Sequence, residues 1–400
     1  MNSRPVAPSR KSAWLPASGL VMLLMILITA PSSCSTMGSG NSAVEDDSSL
    51  LWGPYITGTS STTATINWKM EGSNEGTVEY STENDYQMSG GYEFIIYDTA
   101  KQLHQVSLSQ LKPATPYHYR IVTGDRKTAD GTFRTLGGES FKFIVYGDTQ
   151  EQFPTFTQLE RHKLVADRIA SEADISFVIH TGDVVSQPDS PDELNRFFSA
   201  ARAMLANTTL FVVRANHDRD EQSFDNLFGY PNWYSFDCGN SHFTLMDSNN
   251  EADARAETEW LRDDLSCDAK FKFVFFHHPF YSSDAKIWGG SPQLRDLWED
   301  IFTNQHIFAV FNGHVHAYER INVQGIHYIV SGIGGGPSYD LAEAKVAGYQ
   351  NSAEFVLGYA RITVTGEKAV IEIIKVADIS RKGEGVEKIY PPNTILETIQ

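Results

Sequence analysis

The stretch FKFIVYGDTQ, Phe141 to Gln150, reads as a buried strand that ends abruptly in polar chemistry. A run this rich in β-branched and aromatic residues suits a parallel sheet covered on both faces. Four more stretches repeat the arrangement: ISFVIH before GDVV (Gly182 to Val185), LFVVR before NHD (Asn216 to Asp218), KFVFF before His277 and His278, and HIFAVF before GHVH (Gly313 to His316). Open α/β sheets bind ligands beyond the carboxyl ends of their strands, so the five clusters are expected to converge. The carboxylates of Asp148 and Asp183, the carboxamide of Asn216 and the imidazoles of His277, His314 and His316 suit divalent or trivalent metal ions. Together they exceed what one catalytic ion normally takes from a protein, which points to two ions. Helix caps and core histidines would explain single members but not the ordered set.

That order, D, GD, NHD, H and GHxH, resembles the calcineurin-like metallophosphoesterase superfamily. The strings HHPFYSS from His277 and GHVHAYER from Gly313 resemble its purple acid phosphatase branch, and the likeness covers roughly Phe141 to Lys375. The resemblance implies an α/β domain of two mixed sheets packed face to face with helices outside. It assigns Asp148 and His316 to one ion and Asn216, His277 and His314 to the other, with Asp183 bridging ions about 3.5–4 Å apart. It also implies Fe, Zn or Mn as the metals, a phosphate-ester small molecule as substrate, and attack by a metal-bound hydroxide. His277 rather than His278 is the ligand by alignment with the family's H-x-P-x-Y string, leaving His278 to face the substrate. His217, between Asn216 and Asp218, is the expected acid for the leaving oxygen, with Asp218 fixing its tautomer.

Three positions depart from the family pattern. Ala215 replaces the glycine before NHD; Gln150 stands where many members have a histidine ligand; Ser186 stands where purple acid phosphatases carry the tyrosine that binds ferric iron. Water or the Gln150 amide oxygen would have to fill the first ion's remaining place, so Gln150 and Ser186 are candidates for a metal-ligating or supporting role. Tyr281, Tyr318, His278 and the GIGGGPSYD stretch from Gly332 are candidates for shaping the substrate pocket.

Outward from this core, residues 1–34 carry Arg4, Arg10 and Lys11, an apolar run from Leu20 to Ile28 and a small-residue exit at Cys34, the order of an export signal. The mature chain is expected in the periplasm, at the cell surface or secreted. Either simple cleavage or a lipoprotein signal, with membrane attachment through acylated Cys34, fits this segment. Cys238 and Cys267 would then be a disulfide or two buried thiols. After a linker at 35–49, residues 50–136 alternate strand-like stretches with turns, as an all-β sandwich should. Trp68 and LKPATPYHYRI, with Tyr117 and Tyr119, resemble a fibronectin type III core and tyrosine corner. The phosphoesterase domain then occupies 141–400, with capped helices after Ser190 and Ser291 and a late hairpin around Gly366.

The net charge of −18 suggests no nucleic-acid surface. The leading expectation is an exported dinuclear-metal phosphoesterase that hydrolyses phosphate esters. A phosphodiesterase or nucleotidase of the same fold is the alternative, with a non-catalytic binding protein that keeps the metal site behind both.

Overall fold

The computed structural model describes residues 50–400, apart from 125, 219–220, 250, 288 and 382–384. The export segment 1–34, Cys34 and the linker 35–49 lie outside the described residues.

The N-terminal sheet domain contains β1 (Leu50–Thr57), β2 (Ala64–Thr82), α1 (Glu83–Ser89), β3 (Phe94–Leu108), β4 (Pro116–Thr123), β5 (Arg126–Lys127) and β6 (Gly131–Arg134). The β2–β3 register is interrupted between Lys69 and Gly76, and β2 changes partner across that break: its first half pairs with β1, its second with β4. Both halves turn side chains into one core of Ile66, Trp68, Val78, Tyr119 and Phe133. The Tyr117 hydroxyl accepts the Lys112 N–H at 2.8 Å, the reach-back bond of a tyrosine corner.

The second part runs β7 (Ser140–Tyr146), α2 (His162–Ala170), β8 (Ile175–His180), α3 (Pro191–Ala200), α4 (Arg202–Leu205), β9 (Thr209–Val212) and α5 (Glu221–Phe228). Then follow β10 (Tyr234–Cys238), β11 (Ser241–Leu245), α6 (Glu251–Asp264), β12 (Phe271–Phe275), α7 (Pro292–Asn304) and β13 (Ala309–Asn312). The chain closes with β14 (Tyr318–Val323), β15 (Ile326–Ser331), β16 (Tyr349–Ala353), β17 (Val356–Thr365), β18 (Lys368–Ile379), β19 (Val386–Ile389) and β20 (Ile395–Ile399).

These strands form two mixed sheets. In the first, β7, β8 and β9 are parallel, with β17 antiparallel to β7 and hairpinned to β18. In the second, β11, β12, β13 and β15 are parallel, with β10 and β14 antiparallel on either side. The sheets meet through aromatic side chains: Phe143 contacts Phe243 and Phe273 edge-on, and Phe177 contacts Phe243 likewise. All four are fully buried, each burial stabilising by about 1.5–3 kcal/mol. The first sheet also continues into the N-terminal domain, where β1 lies parallel to β9 at Ile56 and Thr209.

Some local expectations change. Ser190 caps α3, but the Glu193 carboxylate accepts the Ser186 and Gln187 N–H groups instead of closing a capping box. That helix breaks at Ala201 into α3 and α4. Ser291 makes no side-chain cap bond, and Pro292 alone starts α7. Cys238 and Cys267 are free thiols, not a disulfide, and burial pushes Cys238 up to about 11, which makes it a poor nucleophile.

Candidate dinuclear metal centre

The first sheet delivers Asp148, Asp183 and Asn216 from the ends of β7, β8 and β9; the second delivers His277, His314 and His316 from β12 and β13. Asp148, Asp183 and His314 each follow a glycine and sit in the left-handed region, at φ 57°, 55° and 69°. This conformation costs a non-glycine residue roughly 1–2 kcal/mol. Bonds between the turns hold it: Asp148 N–H to Gly182 O at 3.0 Å, Gly313 N–H to His277 O at 3.1 Å, and Gly336 N–H to Asp148 O at 2.7 Å. Gly182 has no room for a side chain, because its φ is +96° and an added Cβ would lie 2.3 Å from the Ala215 Cβ. The alanine before Asn216 therefore fills space that Gly182 vacates. A Cβ at Gly313 would similarly lie 2.3 Å from Asp148 Oδ2.

The side chains gather into two groups that share one atom. In the first, His316 Nε2 lies 3.3 Å from Asp148 Oδ1, and the Gln150 amide nitrogen lies 3.1 Å from both His316 Nε2 and Asp183 Oδ2. In the second, Asn216 Oδ1 is 2.9 Å from His277 Nε2 and 3.0 Å from His314 Nδ1. Asp183 Oδ2 joins that group too, 3.3 Å from His277 Nε2. Two of the histidines are aimed from behind by backbone carbonyls: Nδ1 of His277 lies 2.9 Å from Thr181 O, and Nδ1 of His316 lies 2.5 Å from Pro337 O.

The electrostatics of this cluster call for positive charge. Burial opposes ionisation of Asp183, but neighbouring His277 and His217 outweigh it and hold the carboxyl below its usual range. Burial also opposes the charge on His277, yet Asp183 and then Asp148 push it up to about 9. His314 is held down at about 3 by burial and then by His277, so it stays neutral and offers a lone pair. A proton on His277 thus does part of what a metal ion would do, and metal uptake must release it.

His217 is solvent-exposed; its N–H reaches Asp183 Oδ1 at 3.1 Å and its ring Nδ1 lies 2.9 Å from the Ser186 carbonyl. The carbonyl can only accept, so Nδ1 carries the proton in the neutral ring and Nε2 is the working nitrogen. This corrects the expectation for Asp218. The Asp218 carboxylate accepts the Asp183 N–H at 3.0 Å and stabilises the turn, while burial and then Asp183 push it up to about 8. Ser186 supports the centre through backbone and hydroxyl bonds: its Oγ donates to Glu151 O at 2.8 Å.

The three residues assigned to the substrate pocket fare differently. His278 keeps its ring 4.5 Å from that of His314, with Nδ1 3.0 Å from Ser248 Oγ, and it groups with His277 and His314 among potential ligands. Tyr281 and Tyr318 commit their hydroxyls elsewhere, donating to Glu299 on α7 and to Glu397 on β20, and Tyr318 is fully buried. Within the GIGGGPSYD stretch it is Tyr339, not singled out by the sequence, that reaches the centre, stacked on His316 at 4.2 Å with the Lys286 ammonium 5.0 Å from the centre of its ring. Burial and then Asp148 and Asp183 push its phenol up to about 12, so it remains a donor. The only sequence signal for it was its place at the end of the glycine-rich stretch after β15.

Residues 141–318 match the calcineurin-like phosphoesterase family, and residues 53–135 match the purple acid phosphatase N-terminal domain. This chain carries a calcineurin-like phosphoesterase domain behind a purple acid phosphatase N-terminal domain. It is 25% identical over 323 residues to purple acid phosphatase 15 of Arabidopsis thaliana, covering 65% of this chain and 60% of that protein. It is 22% identical over 296 residues to the Fe(3+)-Zn(2+) purple acid phosphatase 12 of the same plant, covering 64% and 62%. The chain thus spans about three-fifths of the length of these relatives. Its fold is shared with the purple acid phosphatase PPD1 from yellow lupin (Lupinus luteus) seeds, at a TM-score of 0.69 and 16% identity, over 84% of this chain and 72% of that one.

Proposed function

We propose that this chain hydrolyses phosphate esters at a pair of metal ions. The observation that carries the reading is the shared atom Asp183 Oδ2, which faces the Gln150 amide on one side and His277 Nε2 on the other. The residues suit ions of this kind. Asp148 Oδ2 is buried without a hydrogen-bond partner, an arrangement that costs free energy unless a cation meets it. Asp148, Asp183 and His316 would hold the first ion; Asp183, Asn216, His277 and His314 would hold the second.

A bound pair would supply positive charge to the phosphoryl oxygens and a water acidic enough to attack phosphorus near neutral pH. The protein's own groups do the rest. His217, its Nδ1–H held by the Ser186 carbonyl, presents Nε2 to solvent; entering the step as the imidazolium, it would give its Nε2 proton to the leaving oxygen and be left as the neutral Nδ1–H ring. The phenol of Tyr339, beside His316, offers a hydrogen bond to a phosphate oxygen. Kinship with plant purple acid phosphatases, one of them named for an Fe(3+)-Zn(2+) centre, supports the reading. The basic and apolar start of the chain supports export, with either an acylated Cys34 or a freely soluble product.

The test is metal analysis of the purified full chain together with turnover of 4-nitrophenyl phosphate and bis-4-nitrophenyl phosphate. Two ions per chain and metal-dependent hydrolysis of either ester are expected. Two bound ions with no turnover of either would refute the hydrolase reading.

A further inference from the structure

The first group of donors, Asp148, Asp183 and His316, holds fewer protein ligands than the second, and the nearby turn after Asp183 brings it only Ser186. The Ser186 hydroxyl makes no further ligand, since it is committed to the Glu151 carbonyl. Gln150 aims into the same group from the turn after β7 and is 5% exposed. Its amide nitrogen is 3.1 Å from Asp183 Oδ2 and 3.1 Å from His316 Nε2. Because the His316 Nδ1 donates to the Pro337 carbonyl, Nε2 of the neutral ring is a lone pair. The NH₂ group therefore lies among inward-facing lone pairs and supplies the only positive polarity that a neutral side chain has. The cost falls on the other end of the amide: Gln150 Oε1 is buried and has no hydrogen-bond partner.

We infer that Gln150 is a ligand of the first metal ion through Oε1, and that this centre is a pair of divalent ions and not a ferric one. The inference rests on the dinuclear reading above. Once a cation takes the lone pairs of Asp183 and His316, the amide NH₂ loses both acceptors and faces like polarity. The two ends of a carboxamide are isosteric, so a half-turn brings the unpartnered oxygen to the ion and removes both penalties. Charge then selects the metal. With Asp148, a shared Asp183 and two neutral donors, the first ion meets at most two negative charges. Carboxylate, imidazole and carboxamide donors suit Zn²⁺, Mn²⁺, Co²⁺ or Fe²⁺, with geometry and supply deciding the occupant.

The test needs no substrate. Full-length wild type, Gln150→Ala and Gln150→Glu are titrated with Zn²⁺ against a competing chelator, loaded with Co²⁺ for visible absorption, and melted metal-free to confirm the fold. Wild type should bind two ions and, reconstituted with iron in air, should show no phenolate-to-iron band. Gln150→Ala should weaken one of the two sites by about 10-fold or more and change the Co²⁺ spectrum, whereas Gln150→Glu, which keeps an oxygen in place, should hold both ions. Equal affinity of wild type and Gln150→Ala for both ions, or equal loss in the Ala and Glu variants, overturns the ligand role. A purple iron-loaded wild type overturns the divalent assignment. Wild type that binds no metal at all is a separate result, and sinks the dinuclear reading itself.

Discussion

Replacing His217 by alanine separates chemistry from metal binding unusually cleanly. The bond that His217 gives the centre runs from its backbone N–H to Asp183 Oδ1, and any residue but proline keeps it. What the substitution removes is an exposed imidazole and its bond to the Ser186 carbonyl, worth about 0.5–1.5 kcal/mol at most. Metal content and melting temperature should therefore stay near wild type. Turnover should not. A positioned general acid contributes about 10²–10⁴-fold, or roughly 3–5 kcal/mol of barrier at 1.36 kcal/mol per factor of ten. That loss should be full on an alkyl phosphate, whose leaving oxygen needs a proton, and much smaller on 4-nitrophenyl phosphate, whose leaving group departs as a stable anion. The assay is kcat and kcat/KM on both esters at matched metal content. If the variant hydrolysed the alkyl ester as fast as wild type, the acid would be another group. If both esters slowed equally, His217 would serve binding and not proton transfer.

Other outcomes follow from packing and charge. Gly182→Ala should destabilise by about 1–3 kcal/mol and lower metal affinity by displacing Asp183. Adding Ala215→Gly should recover part of that loss in urea titrations, and no recovery would mean that the positive φ alone is responsible. His242 lies between Asp237 and Asp264, at 2.7 and 2.9 Å; burial opposes its charge, but the two carboxylates outweigh it and push the imidazole up to about 10. A raised folded value stabilises the protonated form, so this contribution is complete below the unfolded value near 6.5 and is lost as pH rises from there through about 10. Urea midpoints of wild type should fall across that interval more steeply than those of His242→Gln, and parallel curves would contradict the clamp. In its native host the mature chain should begin at or near Cys34, acylated or free, and recovery of intact Met1 by mass spectrometry would sink export.

The strand-end clusters were legible because a parallel strand buried on both faces tolerates few polar residues, so carboxylates and imidazoles straight after FKFIVY or KFVFF cannot be packing. The N-terminal domain showed itself through alternation and through Tyr117, whose hydroxyl finds Lys112 within the same short stretch. What stayed hidden depends on atoms that side-chain identity does not report. The partner of His217 is a backbone carbonyl, which any residue at position 186 would supply, so Asp218 was credited by adjacency alone. Tyr281 and Tyr318 sat beside the motifs, but their hydroxyls face α7 and β20, elements whose placement follows only from the packed fold. Tyr339 reaches His316 because the Tyr339 N–H bonds the His316 carbonyl at 3.2 Å, a contact between loops more than twenty residues apart.

The continuity of the first sheet into the N-terminal domain gives that domain a protective task. β9 is short, buried along its whole length and runs directly towards Asn216 and His217. On one side it pairs with β8; on the other it is covered by β1 at Ile56 and Thr209 and by two tyrosine hydroxyls, Tyr230 on Leu210 O at 2.7 Å and Tyr234 on Val212 N–H and O at 3.1 and 3.0 Å, with Thr59 Oγ1 against Thr209 Oγ1 at 2.7 Å and the Tyr119 hydroxyl on Ala206 O at 2.8 Å nearby. A chain cut at residue 139 would keep the two tyrosine bonds but lose β1, the Thr59 contact and the Tyr119 bond, uncovering the apolar start of β9 at Thr209 and the turn before it. The second part freed in this way should self-associate more readily than the full chain, which would make the domain ahead of it a cover for this end of the sheet.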